Sequence, residues 1–162
     1  MQRINFDALL LTELRAQAQA MKVDWAVVLQ ADAAERTSRH WTNLQRLVQR
    51  TLPALRTALL HSPQPILLVC AGLLARYGLM HLVTELEEHA GRPGHTPSAW
   101  LLLPTSAQGL PTIDGVAVPL VNNINNTRAL ALPQAWVENK HRAKTGPHTA
   151  SPAGSHASPS AA

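Results

Sequence analysis

Apolar residues recur along this chain in two rhythms, a helical spacing of three to four and short unbroken runs. Leu10, Leu14 and Ala18 stand four apart, which predicts a helix over about residues 7–21, with Asn5 or Asp7 placed to cap its first turn. The run Trp25–Leu29 (WAVVL) is short, β-branched and aromatic, and predicts a strand. After the polar stretch ADAAERTSRH, Ser38 is a good N-cap. At 100° per residue, Trp41, Leu44, Val48, Leu52, Leu55 and Leu59 then fall within an arc of roughly 80°, the signature of an amphipathic helix reaching about His61. Pro53 lies inside that pattern. A proline there removes a donor and crowds the preceding turn, so a kink or split near Gln49–Pro53 is expected.

HSPQP is a turn, and Ile66–Val69 is a second strand, apolar on both sides as a central parallel strand would be. A helix from Leu73 to about His89 follows, interrupted or bent near Gly78, with Leu79, Leu82, Val83, Leu86 and Ala90 as its buried stripe. GRPGHTPS is a loop and Ala99–Leu103 a third strand, stopped by Pro104. Within LPTIDGVAVPLV, Asp-Gly between apolar runs predicts a β-hairpin. A last short helix starts near Pro133. Helices between apolar strands predict parallel pairing with right-handed crossovers. The fold class is therefore α/β: a small three-layer domain with about three parallel strands, crossover helices and a C-terminal β-hairpin. Three strands are few for a self-sufficient open sheet, which suits a piece of something larger. The expected division is an α/β module over residues 1–143 and a disordered tail over 144–162, where Ser, Pro, Ala and Gly dominate.

Composition sharpens this picture only slightly. The 162 residues are 46% hydrophobic, enough for one core built mainly of Leu, Val and Ala. A net charge of +4 reflects scarce acids more than dense bases, and by itself is too weak for a nucleic-acid footprint. The single Cys70 excludes an internal disulfide and a cysteine zinc cluster. No secretory signal and no apolar run near the roughly 20 residues of a spanning helix is present, so the expected location is the cytoplasm, with no membrane partner.

Candidate chemistry is sparse. A phosphate-binding loop follows a strand as G-x-x-x-x-G-K-[ST], and none is present. Cys70, Thr105 and Ser106 follow the second and third strands, at the edge where α/β sheets take ligands, and are the nucleotide-edge candidates. No acid is expected beside them. His81, Glu85 and His89 share one helical face, but a solvated charged face accounts for them and no metal or other cofactor is expected. Arg36, Arg39, Arg46 and Arg50 form a basic ridge opposite an apolar stripe, which makes DNA a candidate partner. Arg128, Lys140, His141, Arg142 and Lys144 make the C-terminal end basic.

The phrases VDWAVVLQADAAERTSRHWTNLQRLV, PILLVCAGLLARYG, SAWLLLPTS, IDGVAVPLV and LPQAWVENKHR together resemble the C-terminal region of the large serine/threonine kinases of the phage growth limitation system, BREX type 2. The resemblance covers about residues 6–143. It implies the last portion of an ATPase-like region attached to a kinase, with Thr105 or Ser106 at a polar sensor position and other parts of a phage-defence complex as partners. No kinase motif is present, neither H-R-D, D-F-G nor a glycine-rich loop. The function this implies is a non-catalytic module acting in assembly or positioning. Its alternatives are a degenerate NTPase subdomain serving a site in trans and a DNA-associated protein.

Overall fold

A computed structural model describes residues 1–104, 111–118 and 132–138. They fall into two units, within 1–121 and within 122–162. The first unit opens with a strand, β1 (Gln2–Asn5), and continues with α1 (Phe6–Ala20), α2 (Trp25–Ala33), α3 (Arg39–Leu60), β2 (Ile66–Val69), α4 (Gly72–Arg76), α5 (His81–His89) and β3 (Ala99–Leu101). A hairpin, β4 (Thr112–Ile113) and β5 (Val116–Ala117), closes it. In the second unit the described element is α6 (Gln134–Val137), which starts at Pro133 as expected.

The sheet has the order β1-β2-β3 and both pairings are parallel, with Gln2 opposite Ile66 and Ile66 opposite Ala99. This is a small α/β domain with a parallel three-stranded sheet and an antiparallel hairpin. The first strand is not WAVVL. That run forms α2, because Asp24 caps it by accepting from the Ala26 N–H at 2.9 Å and because Val28 and Ala31, three apart, are what it buries. Its other apolar residues, Val27 and Leu29, are about half exposed. The strand is instead the polar QRIN, where only Ile4 is buried.

The core forms where the helices meet one face of the sheet. Ile4, Ile66 and Leu68 join Phe6, Leu10, Leu14 and Ala18 of α1 and Leu44, Val48, Leu55 and Leu59 of α3 in one cluster. Asn5 caps α1, accepting from the Ala8 N–H, and Ser38 caps α3, accepting from the Trp41 N–H. Pro53 does not split α3, which runs as one 22-residue helix. The helix expected over Leu73–His89 is interrupted as expected: α4 ends at Arg76 and α5 begins at His81, with Gly78 at φ +70° between them.

Two side-chain bridges fix the helices. Arg56 on α3 grips Glu85 on α5 with both ends of its guanidinium, at 2.8 and 2.7 Å. Its hydrogen bonds hold the Glu85 carboxyl below the usual range. On the other side Asp32 of α2 accepts from Arg76 Nε at 2.8 Å and from the Tyr77 hydroxyl at 2.9 Å. Burial, then the bond to Asp32, pushes the Tyr77 phenol up to about 12. No helix among the described residues is long and apolar enough to cross a membrane.

Candidate functional site at the carboxyl edge of the sheet

In a parallel sheet every strand delivers its C-terminal end to one edge, where backbone groups run out of ladder partners and loops can converge on a ligand. Here that edge is made by Asn5, Cys70 and Leu102. Cys70 follows β2 directly and is exposed, not buried as its place on a central strand suggests. Its φ of +52° turns the chain sharply out of the sheet, and its carbonyl accepts the Asp7 N–H at 2.9 Å. A side chain costs energy in this left-handed region, so Cys70 sits in a mildly strained position.

The edge also holds two acids that the sequence pattern did not place there. Asp7, in the first turn of α1, accepts the Leu73 N–H through Oδ1 at 2.9 Å and so caps the start of α4 from a distant part of the chain. Asp114, in the hairpin turn, comes in from the other side. A methyl group added at Gly72 would meet Asp114 Oδ2 at 2.9 Å and Asp7 Oδ2 at 3.6 Å, so the two carboxylates approach one another across the bare glycine. Burial raises the Asp7 carboxyl above its ordinary value; the Leu73 and Gly72 amides work against that, and Asp114 adds to it. Asp7 was visible as a helix cap and Asp114 as a turn residue. Only the tertiary fold brings them to one place.

The other expected residues divide as follows. Thr105 and Ser106 lie outside the described residues, as do Arg128, Lys140, His141, Arg142, Lys144 and the tail over 144–162. Arg39, Arg46 and Arg50 are exposed along α3, and Arg36 lies over the Trp41 ring at 5.6 Å. Of the trio on α5, Glu85 is engaged by Arg56, and His89 Nδ1 lies 2.8 Å from the Glu85 carbonyl. The His89 ring also meets His95, which stacks on His61. Among the described residues no three metal-binding side chains come together as a metal site. A shallow cavity of about 430 Å³, lined by Arg15, Ala18, Gln19, Val23 and Trp25, holds no acid.

Fold and edge together define a small parallel α/β domain with a carboxylate pair at the carboxyl edge of its sheet and no phosphate loop in its sequence. The chain is 29% identical over 155 residues to the "Probable kinase PglW" of Streptomyces coelicolor, an alignment that takes in 87% of this chain and 10% of that protein. The chain thus spans about a tenth of the length of its curated relative, as one region of a much longer protein would. That relative is named as a probable kinase, and its Pgl designation agrees with the group that the sequence phrases resemble. No protein-family model matches the chain, and no solved structure matches it.

Proposed function

We propose that this chain is a non-catalytic α/β module of a phage-defence protein of the Pgl type, working in the cytoplasm in the assembly or positioning of a larger kinase- and ATPase-bearing complex. The observation that carries this reading is the alignment with PglW, which takes in most of this chain and a tenth of that protein. The sequence supports it by omission of catalytic signatures: no phosphate loop, no H-R-D and no D-F-G stands in the chain. The test is reconstitution. A Pgl-type kinase lacking the matching tenth is co-expressed with this chain, and the two are expected to co-elute as one complex. Separate elution of two folded proteins overturns the reading.

A second reading is favoured by the pairing of Asp7 with Asp114: a subdomain that lends acids to a nucleotide site completed by another chain, with Cys70 at the same edge. Carboxylates at that edge are the residue type that would hold the magnesium of a nucleotide. Titration with a fluorescent ATP analogue and Mg²⁺ separates the two. The assembly reading expects no saturable binding, by the isolated chain or by the complex, that Asp7→Asn weakens. Binding weakened by that substitution makes the second reading the correct one.

A further inference from the structure

The basic residues of this protein are not used alike. Arg56 is consumed by Glu85 and Arg76 by Asp32, while Arg15 and Arg36 lie over the rings of Trp25 and Trp41. Arg39, Arg46 and Arg50 stand apart from all of these. All three are exposed, and among the described residues no carboxylate lies within ion-pair distance of them. They belong to one helix, Arg39–Leu60, whose 22 residues include no Asp or Glu. At 100° and 1.5 Å per residue the three arginines fall within an arc of about 40° and span about 16 Å along the axis, with Asn43 on the same line. Arg46 and Arg50 are also one turn apart, where like charges repel. The acid nearest in sequence is Glu35, in the turn before the helix.

We infer that this face of α3 is a docking surface for the phosphodiester backbone of nucleic acid. A straight row of one sign, with no acid to set a register, complements a ligand whose charge repeats uniformly; protein partners fix register by setting both signs against their opposites. A lipid surface fits poorly, because none of the large exposed hydrophobic side chains lies on α3 and membrane-bound helices insert such residues beside their bases. Guanidinium groups suit phosphate, offering paired donors as well as charge. The inference does not depend on the assembly reading, since α3 presents this face whether or not the chain works inside a larger complex.

The test is fluorescence anisotropy of a labelled DNA duplex with the full chain across a series of NaCl concentrations. Each phosphate contact adds about 0.9 to the slope of log affinity against log salt, so the triple variant R39Q/R46Q/R50Q loses about 2.7 of slope. Between about 50 and 200 mM salt, wild-type affinity therefore falls about 40-fold more than that of the variant. Arg92→Gln, an exposed arginine on a loop, keeps the wild-type slope, and R39K/R46K/R50K keeps most of it because charge is retained. Equal melting temperatures confirm that all variants are folded. Absence of duplex binding, an unchanged slope in the glutamine triple, or tighter binding to a poly-glutamate peptide of equal charge overturns the inference.

Discussion

Replacing Thr96 with valine should cost far more than the loss of one hydroxyl on a loop suggests. Thr96 is fully buried. Its Oγ1 donates to the Leu59 carbonyl at 2.6 Å and accepts the Ser62 N–H at 3.0 Å, while its own N–H donates to the Leu60 carbonyl at 2.7 Å. Leu59 is in the last turn of α3, and the residue four further on is Pro63, which has no N–H to offer. The Thr96 side chain supplies the missing donor. Valine matches threonine in shape, so no cavity opens, but a buried carbonyl and a buried N–H both lose this partner. Each orphaned group costs about 1–3 kcal/mol, which places Thr96→Val at about 2–6 kcal/mol. Thr96→Ser keeps the hydroxyl and deletes one methyl, at about 1 kcal/mol. Urea unfolding followed by tryptophan fluorescence resolves the difference, provided the m-value is unchanged between variants. If valine proves as mild as serine, the polar clamp contributes nothing and the loop is held by packing alone.

Other expectations follow from the same geometry. Cys70→Gly should stabilise the fold by about 1 kcal/mol because glycine accepts the left-handed φ, and Cys70→Val should destabilise it; equal urea midpoints for the two variants would contradict the strain. The Glu85 carboxyl is lowered in the fold, so its contribution is present above its unfolded value of 4.5 and is lost as pH falls through the folded one. Glu85→Gln should therefore be less stable than wild type at neutral pH, by at most about 1 kcal/mol given the exposure of the pair, with the gap closing in acid. Asp7 carries the opposite sign. Its carboxyl is raised, so its contribution is present below 3.8 and is lost as pH rises through the folded value. Asp7→Asn, which keeps an acceptor for Leu73, should gain on wild type as pH rises from acid to neutral; a gain in the other direction would refute a carboxyl raised by burial, with Asp114 adding to it.

The legible parts of this fold were those with a local physical cause. Ser38 marked the start of α3 because an exposed N–H needs a side-chain acceptor. Ile66–Val69 was clear because a strand buried between two neighbours has no room for polar residues. Gly78 marked the break between α4 and α5, and Asp114-Gly115 the hairpin, through their need for positive φ. The failures lie where tertiary context overrode propensity. WAVVL is as β-prone as a short run can be, yet Asp24 caps it and packing on α3 selects a helix. QRIN carries almost no apolar signal because β1 is an edge strand burying one residue. The site divides in the same way. The ridge on α3 follows from helical periodicity, whereas the pairing of Asp7 with Asp114 depends on a hairpin closing over a sheet and has no signature in either segment.

The direction of β1 sets how this unit can be tethered. Gln2 sits level with Ile66 and Ala99 at the amino edge of a wholly parallel sheet, and Asp7 lies past the carboxyl edge. A polypeptide spliced ahead of residue 2 thus arrives on the side away from Asp7, Cys70 and Asp114. A fusion partner or a longer parent chain joined there is attached at the edge of the sheet opposite those three side chains.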